Sequence, residues 1–506
     1  MTPQQSMAYI FPELLLGLSA CILFLLSAFS AKIPKSQILF PVLAFFSLVA
    51  ALASLIGIQS HVFVQNLPGS LPFFGLISID PFIISSKILI VSLVVLAVFL
   101  NLSPNPTYKY SHPEYYGLLL TFALGLLFFT SSNHLLMLYV GMEAVSLCSY
   151  LLAGFDQKHP VSRETGLKYV LYGGVASGVM LFGLSLLYGL TGDLSFSGLR
   201  AGLISPTATQ GAGLYTLLFA TVLILAGLGF KLSLVPFHSW CPDVYQGAPT
   251  PFVALLSTAP KAAAFTVLLR FLYHLFSVNG YLPDISISSL IPWVILLGFI
   301  SAASMTLGNL SALNQISVKR MLAYSSIAHA GYMLMGVLAG DRMGFQAVWV
   351  NLVVYAVMNF GAFAVVCVVE DTIGSDHIHS FKGLSRKAPF LSFCMAVFLI
   401  SLAGLPPTAG FIGKFYLFNA LLQKSHPGYL WLSAWAVLNS VLSFYYYARI
   451  LKAIYLENDP TAKPPIHSGF HPGTLIAGLM VLPLLYFGIF WNQFAVFSKW
   501  AATLLR

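Results

Sequence analysis

Charge is what this 506-residue chain most lacks: 8% of its residues are Asp, Glu, Lys or Arg, against 58% hydrophobic. Mean hydropathy is +0.86. A soluble domain carries about a quarter charged residues, so a water-exposed globular fold is excluded. Cysteine is scarce as well. Cys21, Cys148, Cys241, Cys367 and Cys394 lie far apart with no C-x-x-C pair, so neither a zinc site nor an iron–sulfur ligand set is legible, and packing roles are expected. The N-terminal run "MTPQQSMAYIFPELLLGLSACILFLLSAFSAK" has no basic segment ahead of it and no A-x-A site after it, so it reads as a retained first span, not a cleaved signal peptide. The net charge of +9 comes from bases scattered through short loops, unlike the basic stripe of a nucleic-acid binder.

What the chain has instead is a recurrence of apolar runs of about 20 residues, the length that crosses a bilayer core. Punctuated by polar residues, Gly and Pro, they number about fourteen. Their centres fall near residues 19, 48, 90, 122, 144, 178, 225, 263, 299, 330, 357, 405, 441 and 484. The expected fold is an all-α polytopic membrane protein, one helical bundle with both termini on one side. If the termini are outside, the inner loops hold Lys32, Lys35, Lys109, Lys158, Arg163, Lys168, Lys319, Arg320, Lys382, Arg386, Lys387, Arg449, Lys452 and Lys463. The outer segments hold only Arg200, Arg342, Lys424, Lys499 and Arg506. Cytoplasmic loops collect Lys and Arg, so this bias places both termini on the periplasmic side of a bacterial inner membrane, with a thylakoid membrane the lesser alternative.

Two spans look broken. One contains "GFKLSLVPFHSW", with Pro236, and runs toward "CPDVYQGAPTP"; the other contains "SLAGLPPTAGFIGKFYLF", with Pro406 and Pro407 in mid-span. Proline removes a helix hydrogen bond, which a membrane tolerates only where protein or water satisfies the freed carbonyl. Paired interruptions in two halves point to a transport site built on inverted repeats. The breaks fall in the seventh and twelfth spans, and a repeat of five helices, being odd, requires the second copy to be inverted.

Ionisable residues inside spans are costly, roughly 2.5 to 3.5 kcal/mol each on insertion scales, and mark functional paths. Glu143 lies in span five, Lys231 in span seven, Lys261 in span eight and Lys414 in span twelve. The bland alternative, interhelical staples or side chains snorkelling to the interface, covers one such lysine more easily than three, two of them beside broken helices. Arg270 and Lys87 are solitary or near span ends, and the bland reading leads for both. His238 follows the proline break and could relay protons, with a packed histidine an equal alternative; for His329 in span ten the packed reading leads. "HIH", His377 to His379, sits in a polar loop, and no metal is expected there. "GFIGK" superficially resembles a phosphate-binding loop, but Thr408 and Phe415 stand where that motif needs Gly and Ser or Thr. A buried lysine and a nearby acid make a geometric switch, because attraction and desolvation push their proton affinities in opposite directions. If Glu143 and Lys231 approach and separate, a proton can pass from Lys231 toward Lys261 and leave by Lys414.

At these residues the chain resembles the antiporter-like membrane subunits of respiratory complex I, most closely the N type, which includes mitochondrial subunit 2 and the B-type counterpart in the chloroplast and cyanobacterial NDH complex. The telling strings are "SLCSYLLAGF", "GFKLSLVPFHSWCPDVYQGAPTPFVALLSTAPKAAAF", "KRMLAYSSIAHAGYMLMG" and "SLAGLPPTAGFIGKFY", and the similarity runs along essentially the whole chain. The resemblance implies about fourteen helices: 1–110 as helices one to three, 111–280 as a first five-helix repeat, 281–460 as a second inverted one, and 461–506 as helix fourteen. It implies a hydrated axis on which Glu143 is the fifth-helix acid, Lys231 its partner, Lys261 the central relay and Lys414 the twelfth-helix lysine. Lys168, in "RETGLKYVLYGG", matches a further family lysine, although its position alone reads as interfacial. Some sister subunits carry an acid at the Lys414 position, and the largest has a long C-terminal amphipathic helix, for which this chain has no room after its fourteenth span.

The function implied is proton translocation as a subunit of an NADH:quinone oxidoreductase, a translocase with no redox centre on this chain. FMN, iron–sulfur clusters, NADH and quinone are expected on partner subunits, and the partners are further antiporter-like and small membrane subunits, the peripheral redox arm and the lipid bilayer. The same core occurs in multisubunit sodium–proton antiporters and membrane-bound hydrogenases, which stand as the alternative; a lysine at 414 makes a sodium site less attractive, since such a site prefers oxygen ligands. A third reading is a non-catalytic subunit whose buried charges only hold helices together.

Overall fold

The computed structural model describes residues 3–29, 39–65, 73–102, 112–203, 210–276, 293–424, 427–457 and 471–503. Of the loop bases used to orient the chain, Lys32, Lys35, Lys109, Lys463 and Arg506 lie outside the described residues. The architecture is all-helical, with only isolated bridges such as Ile77 to Ser132 and Ser317 to His377 among the described residues.

The principal helices are α1 (Phe11–Phe29), α2 (Leu39–Gln65), α3 (Pro81–Leu100), α4 (Pro113–Ser131), α5 (Leu135–Ala153), α6 (Pro160–Thr191) and α7 (Ala212–Leu232). Then come α8 (Trp240–Gly247), α9 (Thr250–Leu256), α10 (Ala259–Phe276), α11 (Trp293–Ala312), α12 (Val318–Ala339) and α13 (Arg342–Ile373). The chain continues through α14 (Pro389–Ala403), α15 (Ala409–Leu422), α16 (Pro427–Tyr455), α17 (Pro472–Ile489) and α18 (Trp491–Thr503). Twelve helical segments among the described residues are long and apolar enough to cross a membrane, α9 and α10 supplying one of them together. Helices α14 and α15 are apolar but shorter, and α16 is long but carries Ser433, Asn439, Ser440 and Ser443 on its buried side.

Starts and stops follow local chemistry. Proline opens α3, α4, α6, α14 and α17, where its missing N–H costs nothing. Asp80, Ser317 and Asp341 cap α3, α12 and α13 by accepting from Ile83 N (2.8 Å), Arg320 N (3.1 Å) and Gly344 N (2.8 Å). The bundle interior is formed by the α9–α10 span, which carries Lys261 and is wholly buried, and by α12 and α13, which are nearly so, whereas α5 and α7, which carry Glu143 and Lys231, are about half buried, and α1 and α2 keep apolar outer faces at Leu18, Leu25 and Phe46. Close packing uses glycine where backbones meet: a Cβ on Gly331 of α12 would stand 2.9 Å from Met305 N and Ser301 O of α11.

One reading from sequence needs correction. Lys319, counted with the loop bases, is 2% exposed in the first turn of α12, because a carboxylate from α13 is there to receive it. The order of charges along the chain could not show that acceptor.

Candidate functional site

Helix α7 stops at Leu232, one residue after Lys231. Ser233 takes a left-handed conformation (φ 58°), its N–H donates to Phe230 O (3.1 Å), and Leu234 N donates to Gly229 O (2.8 Å), the hydrogen-bond pattern of a helix C-terminal cap. The chain through Val235, Pro236, Phe237 and His238 is non-helical until α8 begins. Polar groups freed there are caught from outside the segment: Ser304 Oγ of α11 accepts from Val235 N (3.0 Å), and Trp240 Nε1 donates back to Phe230 O (3.0 Å). Trp240 is held by stacking on Tyr169 of α6 (4.6 Å between ring centres, 12° apart).

The second break is built in parallel. Helix α14 ends at Gly404 (φ 81°), Leu405, Pro406 and Pro407 are exposed, and α15 resumes after Thr408. Both breaks place a helix C-terminus, with its partial negative charge, beside a buried lysine. Lys231 is in the last turn of α7. Lys414 reaches back across the gap to donate to Ala403 O (2.9 Å), the last residue of α14, and to Ser440 Oγ of α16 (3.1 Å). The proline interruptions therefore supply part of the compensation that an intramembrane ammonium demands.

Lys231 is 4% exposed and its Nζ has no hydrogen-bond partner. It lies 6.0 Å from the Tyr150 ring centre and 5.9 Å from that of Phe230, at the outer limit of cation–π attraction. Glu143, on α5, is electrostatically coupled to Lys231 but not ion-paired with it, and its Oε1 is buried without a partner. The structure thus holds this acid and base apart. Glu143 also falls on the outward stripe of α5 formed by Leu136, Val140, Leu147 and Leu151, each more than half exposed.

Lys261, near the start of α10, donates to Ser326 O (2.6 Å) and Ser326 Oγ (2.5 Å) of α12, and Tyr355 of α13 donates to the same hydroxyl (2.8 Å). One turn beyond Ser326, His329 is buried with its ring 5.3 Å from Tyr355 and 5.8 Å from Tyr332. It is electrostatically coupled to both Lys261 and Lys414, and the Lys414 ammonium sits 4.8 Å from the Tyr332 ring centre. A row therefore runs from Lys261 through Ser326, Tyr355, His329 and Tyr332 to Lys414. Lys231 stands apart from this row, on α7, a helix that packs against the Lys261 helix α10. His238 lies in the first break with Nδ1 buried and unpartnered.

Lys168 is elsewhere. It bridges Glu164 (2.8 Å) and Asp243 of α8 (3.0 Å), with its side chain 40% exposed. Asp243 also holds Arg320 of α12 (2.6 Å). Burial raises the Asp243 carboxyl, but hydrogen bonds from Lys168 and Arg320 and their positive charge outweigh it and keep the group below the usual carboxylate range. Lys87 and Arg270 find acids too: Lys87 meets Glu13 of α1 (2.5 Å), and Arg270 lies 3.8 Å from Asp80 while donating to Ser132 O (2.7 Å).

Sequence reasoning missed Ser326, Tyr355, Tyr332 and Ser440, because hydroxyls are ordinary in membrane helices. A faint signal exists in "SSIAHAGY", where Ser326 and His329 share a helix face at i, i+3 spacing. Among the described residues no group of His, Cys, Asp and Glu could hold a metal ion.

The family model for the transmembrane region of NADH:quinone oxidoreductase and Mrp antiporter subunits matches residues 132–443, which contain every residue of this row. NADH-quinone oxidoreductase subunit N 2 of Sorangium cellulosum is 40% identical over 99% of this chain and 98% of its own length. The chain belongs to the antiporter-like membrane subunits, N type. Subunit N of an Anaeromyxobacter is 39% identical over 98% of this chain and 96% of its own. Among solved structures, this antiporter-like subunit matches a chain of respiratory complex I from Thermus thermophilus with a TM-score of 0.76 and 31% identity, over 95% of this chain and 97% of that one. It also superposes on a chain of an archaeal membrane-bound sulfane sulfur reductase with a TM-score of 0.85 at 24% identity, over 99% and 98% of the two chains. That last likeness is one of fold alone.

Proposed function

We propose that this antiporter-like subunit translocates protons within a redox-driven NADH:quinone oxidoreductase, moving them along Glu143, Lys231, Lys261 and Lys414. The observation that carries the reading is the set of three buried lysines, two of them set against helix C-termini created by proline breaks. Lysines held only as staples would be saturated with acceptors, yet the Lys231 ammonium has none. Opening and closing of the gap between Glu143 and Lys231 changes how firmly Lys231 holds its proton. A released proton passes to neutral Lys261 and on, past His329, to Lys414. His238 and Lys168 are lesser members of the path.

Counting the interrupted α14–α15 pair and α16 with the twelve segments supports a fourteen-span reading, with inverted units at 111–280 and 281–460 flanked by 1–110 and 461–506. The loop-charge bias supports both termini outside a bacterial inner membrane. FMN, iron–sulfur clusters, NADH and quinone belong on other chains of the complex. The outward stripe of α5 that carries Glu143 supports contact there with another membrane subunit, because a carboxylate facing lipid in mid-membrane is costly.

The test is proton pumping by the whole complex reconstituted in vesicles. Glu143→Gln should lower the protons moved per electron pair while the complex assembles, and an unchanged ratio would sink the relay. A sodium-driven proton exchange in vesicles without redox substrate would instead favour the cation-antiporter alternative.

A further inference from the structure

A second buried polar array leads to Lys261 from the end of the bundle that the charge bias assigns to the inside. Its base is a triad that joins the two halves of the chain. The Lys319 ammonium donates to Glu370 Oε1 (3.2 Å), Thr250 Oγ1 (3.2 Å) and Ala248 O (3.3 Å), and the Thr250 hydroxyl donates to Glu370 Oε2. The Lys319 side chain is 2% exposed and that of Glu370 11%, so the carboxylate is the member that reaches the surface.

The top of the array surrounds Lys261. Besides Ser326 and Tyr355, it includes Ser257, whose carbonyl accepts from Tyr355 (3.3 Å) and whose hydroxyl accepts from Asn359 Nδ2 (2.7 Å). Base and top are tied by helical register. Thr250 and Ser257 are two turns apart along α9 and its end, as are Lys319 and Ser326 along α12, a rise of roughly 10 Å. Between the levels stands Tyr245 of α8, fully buried, with its ring 6.0 Å from Phe363 of α13. Its hydroxyl lies among Cys241, Tyr355 and Ser326, close enough to interact with Cys241 and Ser326 yet in hydrogen-bond geometry with none of them.

A purely structural tie would not need that hydroxyl. A buried polar group left unsatisfied costs about 1 to 3 kcal/mol, and phenylalanine would fill the same space without it. The Asn359 Oδ1 is buried and unpartnered in the same way. An unsatisfied hydroxyl between a surface-touching carboxylate and the central lysine, with a second unsatisfied oxygen at the lysine's own level, marks a path and not a plug.

We propose that Glu370, held by Lys319 and Thr250, is a proton-loading site that refills Lys261 from the inner face. The inference rests on the proton-translocation reading above. Glu370 takes a proton from water at the surface as its carboxylate becomes a carboxylic acid. When Lys261 is a neutral amine, the acid gives up that proton, the hydroxyls of Tyr245 and Ser326 each accept one and release one, and the Lys261 nitrogen becomes an ammonium. Glu370 returns to carboxylate, and no other group changes its charge.

The experiment uses the assembled complex in proteoliposomes and reads protons pumped per electron pair, a ratio that simple loss of folded complex does not change. Glu370→Gln keeps an oxygen for Lys319 and cannot carry the proton; Tyr245→Phe deletes the unpartnered oxygen alone. Both should lower the ratio as far as Lys261→Ala does, and Glu370→Asp should recover part of it. A wild-type ratio in both variants beside a fallen ratio in Lys261→Ala overturns the loading site only. A wild-type ratio in Lys261→Ala overturns the relay beneath it as well. Should Glu370→Gln fail to assemble, Tyr245→Phe decides by the same two outcomes.

Discussion

Replacing Lys231 by methionine separates the cost of that lysine from its use. The ammonium is buried, makes no hydrogen bond and has beside it two aromatic rings at about 6 Å and the C-terminus of its own helix. Holding a lysine in mid-membrane costs roughly 2.5 to 3.5 kcal/mol on insertion scales, each ring at this distance returns about 0.5 kcal/mol, and the helix terminus returns about 0.3 to 1 kcal/mol. Methionine fills nearly the same volume without the charge. The net expectation is a gain of about 1 to 2 kcal/mol, a factor of roughly 5 to 30 in the folding equilibrium. Lys231→Met should therefore melt at or above the wild-type temperature in the purified complex while its proton-to-electron ratio falls. Stability kept or gained at the expense of activity is the mark of a functional site. A lowered melting temperature would show that Lys231 is a tie, and an unchanged ratio would show that it carries no proton; either result refutes the reasoning.

Lys87 should behave oppositely, because it is satisfied. Lys87→Met strands the Glu13 carboxylate and should cost about 3 to 5 kcal/mol, read as lower complex yield and melting temperature, with Glu13→Leu in the same chain restoring most of the loss. Gly404→Ala should disturb Lys414: the added methyl would stand 2.7 Å from its side-chain Cδ, at a residue with φ 81°. The strain of about 1 to 2 kcal/mol should accompany a lowered pumping ratio, and full pumping would show that the Lys414 position tolerates displacement. Gly488→Ala should loosen α17 from the second break, where the new Cβ would lie 2.0 Å from Pro407 O, detectable as faster hydrogen exchange through residues 404–408. The Asp243 ties depend on acid: its carboxyl is held below the usual range, so their contribution is full above the unfolded carboxylate's range and disappears only as pH falls through the depressed folded value. Melting temperature should be flat between about pH 6 and 8 as far as this group is concerned, and Asp243→Asn should lower it throughout that window.

Much of the fold was legible because a bilayer restricts the choices. Apolar runs of membrane length report helices directly, and Pro236, Pro406 and Pro407 stand in the two exposed interruptions. The limit showed at α16, whose twenty-nine residues mix apolar and polar faces, and at α14 and α15, each too short alone. The candidate site was legible only in its charges. Glu143, Lys231, Lys261 and Lys414 stand out because ionisable groups are rare in membranes, whereas Ser326 and Tyr355 share the composition of every other helix.

By itself, the sequence determined that this chain is a membrane-embedded helical bundle carrying a few charges it cannot leave uncompensated, because hydropathy and charge are properties of residues. Only the tertiary structure decided which charges are satisfied. Lys87 and Lys319 have carboxylates, Lys261 and Lys414 have carbonyls and hydroxyls, and Lys231 has none. Pairing is a property of distances between helices far apart in the chain, and for a buried lysine that distance separates a structural tie from a charge left unpaired.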